Sequence, residues 1–117
     1  MQKLAKLSVA AIAALLVAMT LAACAPSVPN IKLKDVAAVI DVRTKEEFIG
    51  GHLDGAINID VESSEFDAQI AKLDKKVEYA VYCHSGRRSG IATDKMAKSG
   101  FEKVTNLNGG IQAWQAA

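Results

Sequence analysis

The chain has 117 residues, a length that suits a single folded domain. Half of the residues are hydrophobic, but many of these lie in the first 24 positions, and the rest has ordinary globular composition. This composition excludes a disordered chain and a polytopic membrane protein. The formal net charge of +1 excludes a general affinity for nucleic acid. Two cysteines allow one disulfide at most, and neither they nor the two histidines have metal-site spacing, so we expect no metal and no cofactor.

The first 24 residues have the features of an export signal. Lys3 and Lys6 precede an uncharged stretch of 17 residues, Leu7–Ala23, and residues 21–24 (LAAC) resemble the bacterial lipobox. We therefore expect a signal peptide at residues 1–23, lipidation of Cys24 and an extracytoplasmic, membrane-anchored protein that faces the periplasm in a Gram-negative host. The alternatives are an ordinary signal peptide or an uncleaved anchor, although 17 helical residues span only about 26 Å of a hydrocarbon core about 30 Å thick.

The chain then changes from an extended segment to alternating strands and helices. Residues 24–34, which include both prolines, are predicted to form a tether, and residues 35–117 the folded domain. The apolar, β-branched run 36–42 predicts a buried strand. A short helix is expected after the N-cap Thr44, ending at the two glycines that follow it, and residues 56–59 form the next predicted strand.

The second half repeats this alternation. Phe66, Ile70 and Leu73 have the spacing of one helix face, and residues 77–83 predict a third strand. A longer helix is expected over Ser89–Ser99, ended by Gly100 as its C-cap. The residues that we expect on its inward face are Ile91, Met96 and Ala97.

A fourth strand at residues 104–107 and a short helix opened by Gly109 and Gly110 complete the predicted elements. Strands that alternate with helices predict an α/β fold, here a small parallel sheet flanked by helices on both faces. Sheets of this kind bind ligands beyond the carboxyl ends of their strands, which directs attention to the loops that follow the strands.

The loop after the third predicted strand, Cys83–Arg88 (CHSGRR), has the clearest chemical pattern. Cys83 ends an apolar strand, and backbone N–H groups, a helix N-terminus and two arginines follow it. These groups stabilise a thiolate and lower the pKa of the thiol. A buried structural cysteine is the alternative, but two cations on a loop close to the core suit a bound anion. The pattern favours a nucleophilic cysteine in an anion-binding loop.

Three blocks in order extend this pattern over most of the chain: residues 40–43 with 46–48 and 51–58, residues 82–89, and residues 108–111 with 113–114. They resemble the signatures of the rhodanese family of sulfurtransferases, in particular its small periplasmic single-domain members. The resemblance implies a rhodanese-like fold. It also implies transfer of sulfane sulfur from thiosulfate or a related donor to a thiol or cyanide acceptor.

The resemblance also implies roles for individual residues. Cys83 would carry the sulfur as a persulfide. The substrate would be bound, chiefly through backbone N–H groups, by His84, Ser85, Gly86, Arg87 and Arg88. One of the two guanidinium groups would help to hold an anionic donor, and the resemblance favours that of Arg88. Residues with a structural role near the site would be Asp41, which orients loops, and Arg43 and Glu47, which form an ion pair.

Two other functions stay open at this stage. One is a persulfide carrier or binding module that serves a dedicated partner. The other, which we expect less, is an arsenate reductase or phosphatase, because the same fold includes such enzymes. Their loop resembles a cysteine followed by five residues and an arginine, whereas this chain has Ser89 at that position and Arg88 one residue earlier.

Overall fold

Four short parallel strands form the centre of the fold. In this computed structural model, which describes residues 31–114, they are β1 (Ala38–Asp41), β2 (Ile57–Asn58), β3 (Glu78–Tyr82) and β4 (Lys103–Asn106). Their order in the sheet is β2-β1-β3-β4, with all pairs parallel. β1 and β3 are the two central strands, and Asp41 and Tyr82 are partners at their carboxyl ends. Each strand overlaps one of the four predicted runs.

The predicted signal peptide, the lipidation site Cys24 and most of the predicted tether lie outside the described residues. Ile31 and Leu33, assigned from the sequence to the tether, pack partly buried against the core, and a 3-10 turn spans Leu33–Asp35. Within residues 31–114, no helix is both long enough and apolar enough to cross a membrane.

Four helices connect the strands and follow the last one: α1 (Lys45–Ile49), α2 (Phe66–Ile70), α3 (Arg87–Lys98) and α4 (Gly110–Trp114). The predicted N-cap of α1 is confirmed, because the Thr44 hydroxyl accepts the N–H of Glu47 at 3.3 Å. Gly50 is the C-cap of this helix. The buried residues of α2 are Phe66 and Ile70, as their spacing predicted, whereas Leu73 lies beyond the end of the helix and packs partly buried against the core.

The core is divided between the two faces of the sheet. Successive strand residues point to opposite faces, so Ile40 and Val81 contribute to one cluster, and Val39 and Ala80 to the other. The first cluster includes residues of α2 and α3, and the second packs against residues of α1 and α4. The predicted architecture, a parallel sheet flanked by helices on both faces, is confirmed.

The inward face of α3 differs from the prediction. Of the three residues predicted to face inward, Met96 is buried as expected, but Ile91 is 46% exposed and Ala97 is exposed. The other buried residues of this helix are Ser89 and Ala92. The helix begins at Arg87, two residues earlier than expected, and its buried face follows positions 89, 92 and 96. Ser99 is the C-cap and Gly100 follows it with φ +96°. Ser89, in the first turn, is buried because this end of the helix packs against Cys83.

Candidate active site

Cys83 lies directly after β3, at the carboxyl edge of the sheet, and is 1% exposed. Its Sγ atom accepts the backbone N–H of Gly86 at 3.0 Å and is 3.3 Å from the hydroxyl of Ser89. Gly86 has φ +118° and is the N-cap of α3, so the chain turns back over the sulfur before the helix starts. The loop is thus folded as a cradle around the thiol.

Two opposing effects act on the pKa of Cys83. Burial raises it, because the charged thiolate loses hydration. Hydrogen bonds from the Ser89 side chain and from the backbone N–H groups of Ser89, Gly86 and Ser85 lower it, and their sum prevails, so the pKa lies below its ordinary value. A larger fraction of the sulfur is therefore a thiolate at neutral pH, which is the reactive form.

Ser89 and Asn106 hold the Cys83 loop in place through hydrogen bonds. The sequence analysis identified neither of them as a site residue. The Ser89 hydroxyl lies 2.7 Å from Asn106 Oδ1 and 3.1 Å from the carbonyl of Gly86, which also accepts the amide N–H of Asn106 at 3.2 Å. A hydroxyl has one proton and can donate it to one of these acceptors or to the sulfur. The available sequence signal was a serine in the first turn after the loop.

Replacing Ser89 by alanine should raise the pKa of Cys83, because the thiolate loses a hydrogen-bond donor. We expect the pH profile of alkylation by iodoacetamide to move to higher pH and the rate at neutral pH to fall about tenfold. Ser99→Ala, which removes a hydroxyl at the other end of the same helix, is the control and should keep the wild-type profile. An unchanged profile in Ser89→Ala would show that backbone N–H groups alone stabilise the thiolate.

The other loop side chains differ in exposure. His84, Ser85 and Arg87 are exposed, whereas Arg88 is partly buried. His84 also borders an open depression of about 390 Å³ beside the loop. The remaining residues that line this depression are Arg43, Glu47, Gly50, Gly51 and Ile111.

The ion pairs near the loop differ from the expected one. Arg43 and Glu47 do not pair with each other: Arg43 binds Asp41 at 2.7 Å, and Glu47 binds Arg88 at 2.7 Å. The four-residue spacing brings charges together only within one helix, and Arg43 precedes α1. It folds back onto Asp41 instead. The Arg88 guanidinium lowers the pKa of Glu47 to about 2, against the opposing effect of burial.

A buried hydrogen-bond network centred on Asp41 fixes residues 51–53, of which Gly51 lines the depression. The Asp41 carboxylate, which is fully buried, accepts hydrogen bonds from the Arg43 guanidinium and from the Tyr82 hydroxyl at 2.7 Å. Arg43 also donates to the carbonyl of Gly51 at 2.6 Å, and the Tyr82 oxygen accepts the N–H of Leu53 at 2.9 Å. Both ends of this network therefore hold residues 51–53.

His52 and Trp114, which belong to the first and third sequence blocks, have packing contacts. His52 stacks on the Phe48 ring, with centroids 3.7 Å apart, and its Nδ1 lies 2.9 Å from the Phe48 carbonyl. Trp114 is partly buried against the second core cluster and donates to the Asn108 carbonyl at 3.2 Å. Neither side chain contacts the sulfur.

The start of α4 packs directly on the peptide between Cys83 and His84. Ile111 donates its N–H to the Cys83 carbonyl at 2.9 Å. Gly110 has φ +59°, and a Cβ at this position would lie 2.5 Å from the same carbonyl oxygen. Only glycine fits this approach. The third sequence block therefore holds the carbonyl side of the nucleophile in place.

The fold and the site together define a parallel α/β domain that holds a cysteine in a loop of backbone N–H donors at the carboxyl edge of its sheet. Comparison with known families identifies the family: the model of the rhodanese-like domain matches residues 29–117. The chain belongs to the rhodanese-like family, as the three sequence blocks predicted.

Relatives and solved structures agree with this assignment. Thiosulfate sulfurtransferase PspE of Escherichia coli is 37% identical to this chain, over 60% of this chain and 67% of the relative. Thiosulfate sulfurtransferase GlpE of Shewanella oneidensis is 33% identical, over 68% of this chain and 76% of the relative. The putative sulfur carrier protein YrkF of Bacillus subtilis is 33% identical, over 77% of this chain and 52% of the relative. A rhodanese-related protein from Thermoplasma volcanium has a TM-score of 0.60 and 34% identity, covering 68% of this chain and 76% of its own. The chain spans only 48–60% of the length of four curated relatives.

Proposed function

We propose that this protein is a thiosulfate sulfurtransferase that carries sulfane sulfur as a persulfide on Cys83. The observation that supports it most is the cradle itself: the sulfur accepts the Gly86 N–H at 3.0 Å and faces the Ser89 hydroxyl at 3.3 Å, and its pKa is lowered. The same donors suit a persulfide anion, which carries its charge one sulfur further out. Relatives named thiosulfate sulfurtransferase give the proposal its substrate class.

The proposed reaction has two half-reactions. The Cys83 thiolate attacks the outer sulfur of thiosulfate, the S–S bond of the donor breaks, and sulfite leaves with the bonding electron pair. A thiolate or cyanide acceptor then attacks the outer sulfur of the persulfide and restores the Cys83 thiolate. No oxidant, metal or cofactor enters this balance.

Initial-rate kinetics test the proposal. Because the covalent intermediate separates the two half-reactions, thiocyanate formation from thiosulfate and cyanide should give parallel double-reciprocal lines when either substrate is varied. Release of sulfite from enzyme and thiosulfate before any acceptor is added should be stoichiometric with protein. Intersecting lines and no sulfite burst would contradict a persulfide intermediate.

A persulfide carrier that serves a dedicated protein partner is the second candidate. The observation that favours it is that one relative, YrkF of Bacillus subtilis, is named a putative sulfur carrier protein. A carrier should take up one sulfur per chain at a normal rate and pass it to cyanide far more slowly, so the ratio of loading rate to turnover separates the two functions.

An arsenate reductase or phosphatase is less well supported. A relative in Arabidopsis thaliana, 34% identical, is named for high arsenic content. In this chain, however, Ser89 occupies the position of the arginine in the longer phosphatase-type loop, and it is buried against the sulfur. The loop therefore lacks an arginine at the position that the phosphatase-type loop uses to bind its oxyanion.

We also propose that Cys24 is lipidated after removal of residues 1–23 and that the protein is anchored on an extracytoplasmic membrane face. The sequence LAAC at residues 21–24, after an uncharged stretch, supports this. Cys24→Ala should release the protein from the membrane fraction or leave its precursor unprocessed, as seen by fractionation and immunoblotting. If the variant fractionates with membranes as wild type does and has the same size, an uncleaved helix is the anchor.

A further inference from the structure

The ion pair between Glu47 and Arg88 is bidentate and lies beside the Cys83 loop. Glu47 Oε1 accepts from one terminal nitrogen of Arg88 at 2.7 Å, and Oε2 accepts from the other at 2.9 Å. The Thr44 hydroxyl, 3.2 Å from Oε1, further fixes the carboxylate. Both carboxylate oxygens thus bind the guanidinium, and the pair has no net charge.

Arg88 belongs to the same loop as the nucleophile, and its guanidinium interacts electrostatically with the charge of Cys83. The hydrogen-bonded Glu47 contributes most to the raised pKa of Arg88, and the charges of Cys83 and Glu62 contribute as well. Glu47 also lines the depression beside the loop. Of the three arginines around the loop, only Arg87 carries a charge that no carboxylate offsets within residues 31–114.

We infer that Glu47 sets the charge preference for the sulfur donor, because it offsets the attraction that Arg88 would otherwise exert on the thiosulfate dianion. The inference rests on the proposed sulfurtransferase function. An anion that approaches Cys83 meets the attraction of Arg88 largely cancelled by the repulsion of Glu47, and each of the two acts twice as strongly on a dianion as on a monoanion. Removing the charge of Glu47 therefore favours the dianion more than the monoanion. Glu47 touches no reacting atom and is therefore a specificity-determining residue.

Two small donors isolate this charge effect. Thiosulfate and methanethiosulfonate both present a terminal sulfur bonded to an oxidised sulfur, but methanethiosulfonate has a methyl group in place of one anionic oxygen. With either donor, the Cys83 thiolate attacks the terminal sulfur, the S–S bond breaks, and sulfite or methanesulfinate leaves with the electron pair. Both reactions give the same Cys83 persulfide.

The experiment compares kcat/KM for the two donors, with saturating cyanide as acceptor, in wild type, Glu47→Gln and Glu46→Gln. Glutamine keeps the shape of the side chain and removes its charge. We expect Glu47→Gln to raise the ratio of kcat/KM for thiosulfate to that for methanethiosulfonate about fivefold, mainly through KM for thiosulfate, and less so in high salt. Glu46, exposed on the same helix, is the matched control and should leave the ratio unchanged.

Arg88→Gln provides a second variant that keeps the test decisive if Glu47→Gln does not fold. It leaves the Glu47 carboxylate uncompensated, so the same ratio should fall below the wild-type value. A ratio that does not change in Glu47→Gln, that changes equally in Glu46→Gln, or that does not fall in Arg88→Gln overturns the inference while the sulfurtransferase function stands. If neither donor transfers sulfur to Cys83 in wild type, the proposed function itself fails, and the inference with it.

Discussion

Replacement of Cys83 by serine is expected to reduce thiocyanate formation from thiosulfate and cyanide to the rate without enzyme. A serine hydroxyl is a far weaker acid than a thiol and cannot form a persulfide. The donors that surround Sγ, the N–H of Gly86 and the Ser89 hydroxyl, stabilise a thiolate and cannot make an alkoxide of serine at neutral pH. The measurement is steady-state turnover of the purified variant at donor concentrations that saturate wild type.

The fold should survive this change, because serine differs from cysteine by one atom at a site with hydrogen-bond donors. The midpoint of thermal unfolding therefore serves as the control and should stay within a few degrees of the wild-type value. Turnover at the wild-type rate in a folded Cys83→Ser protein would exclude Cys83 as the sulfur carrier.

The second large effect is expected from Gly110→Ala. Its Cβ would lie 2.5 Å from the Cys83 carbonyl oxygen, and φ +59° disfavours any side chain. Overpacking costs about 1–3 kcal/mol and the left-handed conformation about 1–2 kcal/mol, so we expect the free energy of unfolding to fall by about 2–5 kcal/mol. Turnover should fall as well, because relief of the clash moves the peptide that carries the nucleophile.

Gly55→Ala separates these two contributions. Gly55 has φ +74°, but no atom lies within 4 Å of a Cβ built there, so this variant has the conformational cost without the clash. Urea unfolding should show the smaller loss of about 1–2 kcal/mol for Gly55→Ala, with turnover retained. Equal losses in the two variants would contradict the close packing of α4 on the Cys83 peptide.

The sequence contained enough information for the sheet, most helices and the loop, because these depend on local patterns. The Thr44 cap, the Phe66 and Ile70 spacing and the run of apolar residues before Cys83 each act over a few neighbouring positions. The prediction for α3 was right for Met96 and wrong for Ile91 and Ala97, because the buried face follows positions 89, 92 and 96 and the large side chain of Ile91 lies on an exposed face.

The ion pairs could not be predicted because each depends on tertiary structure. Glu47 and Arg88 are 41 positions apart and meet only because α1 and α3 both begin at the carboxyl edge of the sheet. Asp41 and Tyr82 become neighbours through the register of β1 and β3. Ser89 and Asn106 meet beneath the loop by the same mechanism, since β4 brings Asn106 alongside the start of α3. Spacing along the chain contains none of these distances.

The most direct test of the account is the intact mass of the purified protein after incubation with thiosulfate. A persulfide on Cys83 should add one sulfur, about 32 Da, with one equivalent of sulfite released, and dithiothreitol should remove the added mass. The same treatment should leave the mass of Cys83→Ser unchanged. No mass increase in wild type, or an equal increase in Cys83→Ser, would contradict the claim that Cys83 carries the transferred sulfur.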